Sequence, residues 1–506
     1  MDTDQHALLK ACKGLDRLPE LALLEVLKLL PVEDLLACRL VCKRLGEQAM
    51  HPTVWREKRL GREENKKLAC QVLRLAPCLD WMLVWHTQFM DPSDCCDHLY
   101  TTDCALRSME LHCYTSFAAQ AALLIQRQAF LGRLRRLQIK LITRETAEDS
   151  ILFRTMALTP GLESLAITAH HGVDSGVPRF RRYPLSVHVP SSIKSVSFRF
   201  SGRESFVNFV LSKHAASLET ALFSESASDS TLQLLAGLSR LRELTCRIQP
   251  GLQVLAASET LQALTMLVER ETEEATDPAD AVKLVRRAPR QLREFSLRWR
   301  YVSSSPHDHS ADVAVELLRA AASGAARSRL ERLSAEFERC RECPHRSTSM
   351  EQEKRELFDA LLAALPALPA LRELRVHAIG SYERLLRGLG AAAAPALRCL
   401  SVRACAHALL HDDDAALLAA LLTARPSLHV RASCNHVGFE DKLPWSPTCG
   451  RCDACKLDCH PELRERGGVL LYPWRMEHSG VTSACFYREG HGPAPTCGPD
   501  CILVSV

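Results

Sequence analysis

Apolar residues near the start of the chain recur at helical spacing. Leu23, Val26, Leu27 and Leu30 fall on one stripe, Pro31 stops that helix and suits the first turn of the next, and Leu35, Leu36 and Leu40 continue the pattern. This predicts a compact set of short helices. So small a set cannot bury every apolar position itself, and each exposed Leu forgoes roughly 1.5–3 kcal/mol of burial. A partner surface is the physical remedy.

A different pattern runs from about 130 to 430, where an apolar residue is followed by others three and five positions later. Clear copies start at Leu134, Leu162, Ile193, Leu292, Leu371 and Leu397, and weaker ones at Leu218, Leu241, Leu261, Leu330 and Leu428. Intervals between starts run from 20 to 41 residues. The second and third apolar residues alternate with polar ones, as a strand with one buried face requires, and Phe206 to Leu211, Val282 to Val285 and Val313 to Leu318 read as helices between strands. The expected unit is strand, turn, helix. Ser303 to Asp312 and Cys340 to Gln352 carry loop signals in the longer intervals, and Cys340, Cys343 and His345 lack a clear fourth metal ligand.

Two resemblances follow from these residues. Leu18-Pro19-Glu20, Leu29-Leu30-Pro31, Glu33-Asp34-Leu35-Leu36, Val41-Cys42-Lys43 and Trp55 stand in the order and spacing of an F-box, with Leu45 where that family usually places tryptophan. The resemblance implies docking on a Skp-type adaptor and, through it, on a cullin. Leu18, Pro19, Leu27, Leu30, Pro31, Leu35, Leu36, Val41 and Trp55 are expected to face the adaptor or to hold that face in shape. Cys42 has no His or Asp companion and reads as a small packed residue. The repeating unit resembles the leucine-rich repeats that follow the F-box in one large class of F-box proteins, which implies a solenoid with a concave binding face. One departure is that the Asn or Cys eight positions after the start occurs only as Cys405.

Composition separates one more region. Of 22 cysteines, eight lie from Cys434 onward, and Cys449, Cys452, Cys455 and Cys459 form a CxxCxxCxxxC run followed by His460. The run suits tetrahedral zinc and also resembles the first run of a bacterial ferredoxin cluster, although His460 stands where proline is usual; reduced cysteines without metal remain a third reading. No cofactor is certain. Gly450, Pro444 and Pro447 make this CxxC a loop, which argues against thioredoxin-type chemistry, and Cys485, Cys497 and Cys501 do not complete a RING.

Basic and acidic residues number 64 and 60 with no long block of either, so nucleic acid is not an expected partner. The basic stretch Arg127, Arg133, Arg135 and Arg136 reads as a solvated face entering the first repeat. No leader-like start and no apolar run of about 18 residues is present, so no membrane partner and a cytoplasmic or nuclear location are expected.

The fold expected is α/β: an F-box over 14–60, a helical connector over 61–130 holding Trp81, Trp85 and Cys95-Cys96, a leucine-rich-repeat solenoid over 131–432 and a Cys-rich tail over 433–506. The function expected is that of a non-catalytic receptor that presents an unidentified protein substrate to a Skp–cullin–F-box ubiquitin ligase. The alternative is a metal-dependent sensor or a non-ligase scaffold.

Overall fold

A computed structural model describes residues 18–61, 66–85, 97–143, 150–171, 190–200, 204–269, 277–288, 291–300, 310–323, 328–338, 348–377, 382–390, 393–402, 412–435, 481–487 and 501–505. The chain divides into two compact units, Met1–Arg240 and Leu241–Val506.

The first unit opens with four short helices: α1 (Glu20–Leu29), α2 (Val32–Cys38), α3 (Lys43–Ala49) and α4 (Pro52–Trp55). Prolines punctuate them as their fixed φ dictates, with Pro19 and Pro31 at N-caps and Pro52 in the first turn of α4. The bundle is centred on Leu23, Leu27, Leu35, Ala49, Val54 and Trp55, all buried. The stripe read from sequence divides here: Leu23 and Leu27 point inward, joined by Leu24, while Val26 lies on the outer side of α1.

A strand stub, β1 (Arg59–Leu60), leads directly into β2 (Cys78–Trp85), β3 (Ala105–Tyr114), β4 (Arg136–Thr143), β5 (Ser164–His171), β6 (Ser195–Arg199) and β7 (Thr220–Phe223), each paired in parallel with the one before. The helices Lys66–Leu75, Ala118–Phe130, Ser150–Leu158 and Glu204–Lys213 intervene between strands. Segment 61–130 is therefore not the purely helical connector expected: it holds two strands. Leu79, Met82 and Val84, and then Leu106, Met109 and Leu111, repeat the buried three-and-five spacing in register with Leu134, Leu137 and Ile139. In β2 the run Leu79 to Trp85 is apolar almost throughout, which hides the alternation.

The second unit continues the scheme with β8 (Glu243–Arg247), β9 (Ala263–Glu269), β10 (Glu294–Arg300), β11 (Arg332–Glu338), β12 (Glu373–His377), β13 (Cys399–Val402) and β14 (His429–Asn435), all parallel. In the tail, β15 (Val481–Tyr487) pairs antiparallel with β14, and β16 (Cys501–Ser505) pairs parallel with β15.

All eleven expected starts are buried. Ten stand in register with their neighbours, but Leu400 pairs with Val430, so Leu428 sits one residue late. The alternation of buried Val430 and Ala432 decides that register, because a one-residue slip would turn both outward. A backbone device recurs along the strands: the carbonyl one past eight of the eleven starts accepts two N–H groups from the next unit, while Arg398 O takes His429 N alone. Arg135 O takes Glu163 N at 2.7 Å and Ser164 N at 3.0 Å, and Arg293 O takes Glu331 N at 2.8 Å and Arg332 N at 2.9 Å. Inside the first unit, Phe198 lies 5.6 Å from Phe200, 5.9 Å from Phe206 and 5.7 Å from Phe223 between ring centroids, in tilted and edge-on arrangements that aromatic quadrupoles favour.

Candidate functional site

The helices α1 to α4 keep apolar side chains in water. Leu21 is 78% exposed, Leu29 86%, Leu40 79% and Val41 57%, with Val26 also exposed. Scattered exposed leucines are ordinary, but this concentration within some twenty residues points to a covered surface. The residues expected at the adaptor divide by burial. Pro19, Pro31 and Val41 are exposed, and Leu18, Leu30 and Leu36 are half-buried. Leu27, Leu35 and Trp55 are core, and Trp55 Nε1 donates to Ala49 O at 2.7 Å. Sequence reasoning did not single out Leu21, Leu29 or Leu40 for this face, because in a segment apolar at most positions the periodicity does not say which side the small core takes.

Polar contacts hold the exposed ends. Gln48 Nε2 donates to Glu20 Oε1 at 3.1 Å and Arg44 donates to Leu18 O, fixing the Leu18-Pro19-Glu20 corner. At the other end of α1, Lys58 Nζ donates to Lys28 O at 2.6 Å and to Leu30 O at 2.5 Å, satisfying carbonyls that a helix end leaves without partners. Partial burial lowers the Lys58 ammonium below its ordinary value, with Glu57 opposing. Cys42 is exposed, not packed as expected. It caps α3, its Sγ accepting from Leu45 N at 3.5 Å, because a β-region backbone there aims the side chain at the helix's first turn.

The helices are tied to the strands behind them. Arg133 donates to Arg56 O at 3.3 Å, Leu79 O at 3.1 Å and Ala105 O at 3.2 Å, and Asp80 N donates to Lys58 O at 2.8 Å. Arg127 donates to Thr102 O at 2.9 Å and pairs with Asp103. Arg135 donates to Gly132 O at 3.1 Å and Leu134 O at 3.0 Å, so three members of the basic stretch have structural duties, while Arg136 is exposed on β4.

The second candidate surface is the side of the strands opposite the buried ladder. On β3 and β4, Glu110 receives His112 Nε2 at 2.7 Å and Lys140 Nζ at 2.8 Å, and the Trp85 and His112 ring centroids are 4.5 Å apart. Burial pushes the Glu110 carboxyl up, but bonds from His112 and Lys140 outweigh it and hold the pKa below the usual carboxylate range. In the second unit the same side carries Arg–Glu pairs: Arg332 with Glu294 at 2.6 Å, Arg298 with Glu336 at 3.0 Å and Arg375 with Glu373 at 2.7 Å.

Cys449, Cys452, Cys455 and Cys459 lie outside the described residues, as do Cys340, Cys343, His345 and Cys95-Cys96. Among the described residues no group of three or more His, Cys, Asp or Glu side chains is placed to hold a metal ion. Cys38, Cys42, Cys78, Cys104, Cys113, Cys246 and Cys399 are in no disulfide, whereas Cys70 is disulfide-bonded. Burial pushes Cys104, Cys113 and Cys246 up to about 12, which leaves them protonated packing groups. Among the described residues no helix is long and apolar enough to cross a membrane.

Residues 15–60 match the F-box-like domain family, and domains of this kind typically bind Skp-type adaptors. No curated relative matches the chain.

Proposed function

We propose that this protein is a substrate receptor of a Skp–cullin–F-box ubiquitin ligase. The observation that carries the reading is the concentration of exposed apolar side chains, Leu21, Val26, Leu29, Leu40 and Val41, within the F-box-like segment. A Skp-type adaptor covers them, and a cullin is recruited through the adaptor. The strand-and-helix units behind the F-box are read as a leucine-rich-repeat solenoid whose open sheet side holds a protein target. The regular ladder of buried residues and shared carbonyls supports that reading.

The chain itself is read as non-catalytic. Holding a target near a charged ubiquitin-conjugating enzyme raises the rate through effective concentration, which needs shape and affinity in place of a nucleophile. Such a ligase acts in the cytoplasm or nucleus, and the proposal places the chain there.

The test is co-purification from cells of the full chain and of a Leu18→Ala, Pro19→Ala double variant, with probes for adaptor and cullin. Recovery of both subunits with the intact chain and loss of both with the variant supports the reading. Adaptor without cullin would instead indicate a scaffold outside the ligase.

A further inference from the structure

The open sheet side of the first unit differs chemically from that of the second. Along β2 to β7 its side chains come from every second strand position, and the titratable groups among the described side chains are Glu110, His112, Tyr114, Arg136, Lys140 and Arg199, with His170 at the next such position of β5. Glu110 is the only acid among the described residues there, and His112 and Lys140 already satisfy it. Arg136 and Arg199 are exposed and form no ion pair among the described residues. The rim at the strand starts is balanced, with Asp80 and Arg107 early in β2 and β3, and Arg135, Glu163, Lys194 and Glu219 just before β4 to β7. The uncompensated charge on this side is therefore positive.

Between the two arginines lies a floor of small hydroxyl side chains. Ser164, Ser195 and Thr220 stand side by side on β5, β6 and β7, and Ser197 and Thr168 lie further along the same strands. All are half-buried and make no side-chain hydrogen bond within the protein among the described residues. Small side chains allow a chain to approach closely, and their hydroxyls can donate or accept. On β2, the half-buried Trp81 and Leu83 add an apolar flank. The second unit offers a contrast, since its Arg–Glu pairs neutralise one another across the strands.

We infer that the open side of β4 to β6 binds an extended anionic peptide, with Arg136 and Arg199 as its two charge contacts and the Ser164, Ser195 and Ser197 hydroxyls beneath its backbone. The inference rests on the receptor reading and names the chemistry of the segment the receptor takes. Arg136 and Arg199 are two strands and four positions apart, which at strand spacing is roughly 16 Å. An extended peptide covers that span in about five residues, so the two anionic side chains of the target stand four to six positions apart. Carboxylates and phosphoryl groups share the needed chemistry, and direct pairing with guanidinium favours either.

The test uses the full chain in complex with its adaptor and fluorescent 12-residue peptides read by anisotropy. One peptide carries two Asp five positions apart, one phosphoserine at those positions and one Asn; a single-stranded oligonucleotide of matched charge is the fourth probe. At least one anionic peptide is expected to bind ten times tighter than the Asn peptide, and which one does so identifies the source of the charge. An Arg136→Glu, Arg199→Glu variant should lose at least tenfold. An Arg242→Glu, Arg398→Glu variant, which reverses two exposed arginines of the second unit, should stay within twofold. Equal binding of the Asn peptide, equal loss in the control variant, or an oligonucleotide that outcompetes every peptide would overturn the inference. Retention of the adaptor by both variants shows that the F-box reading stands whichever way the peptide result falls.

Discussion

His214 shows what burial of one ionisable side chain costs. It is buried, and its Nδ1 accepts from Ser192 N at 3.2 Å and Ile193 N at 3.4 Å, so it receives the chain as it enters β6. Only a neutral ring with a bare Nδ1 can do this, and burial lowers its pKa from 6.5 to about 4. The unfolded chain then binds a proton below pH 6.5 that the folded chain refuses until about pH 4, so stability falls as pH falls through that window. The shift corresponds to a loss on the order of 3 kcal/mol. His214→Gln, which keeps an acceptor but does not titrate, should show a smaller drop in urea midpoint between pH 7 and pH 4.5 than the natural chain. Equal drops would mean that His214 does not couple to folding. No sequence pattern marks His214, because its role depends on a turn 21 to 22 residues back along the chain.

Single residues also show where sequence reading stops. Trp55 and Leu35 belong to the motif and are core, whereas Leu29 and Val41 belong to it equally and are exposed. Motif position identifies which residues matter to the domain, and only packing divides those that hold it from those that meet a partner. Cys42 illustrates the same limit, since its backbone conformation turns an expected packing thiol into an exposed helix cap.

Among the elements, the strand repeats from Leu134 onward were legible because one buried and one open face impose a period of two that few other structures share. β2 was hidden by an apolar run that continues on its open side through Trp81, Leu83 and Trp85, and β3 by its place in a stretch read as helical. In the tail, the cysteines of segment 433–506 drew the reading toward metal chemistry, while VTSACFY and CILVS carry the β-branched and aromatic residues of strands. The element with the clearest lever is α1. Lys58 closes its C-terminal end, where Leu29-Leu30-Pro31 turns into α2. Lys58→Met keeps most of the side-chain stem but leaves two carbonyls without their charged donor, a loss of about 1–2 kcal/mol. Hydrogen exchange should rise across residues 28–30 and stay unchanged in β9 to β13. Protection unchanged at both places would show that water replaces the ammonium without penalty.

For the whole molecule, the division of labour follows from two kinds of surface. The F-box-like helices expose apolar side chains and hold them with polar clamps at both ends of α1. Within each unit the strands bury theirs in a ladder and leave a mixed polar side open, which suits recognition better than adhesion. The central claim is that the first surface is made for a Skp-type adaptor. Its most direct measurement is the affinity of the purified full chain for that adaptor by calorimetry, beside a Leu29→Glu, Leu40→Glu variant whose thermal midpoint is checked in parallel. The substitutions lie on exposed positions, so the midpoint should stay within a few degrees of the natural chain while affinity falls at least a hundredfold, about 2.7 kcal/mol. An intact chain that does not bind the adaptor, or a folded variant that binds as tightly as the intact chain, would contradict the claim.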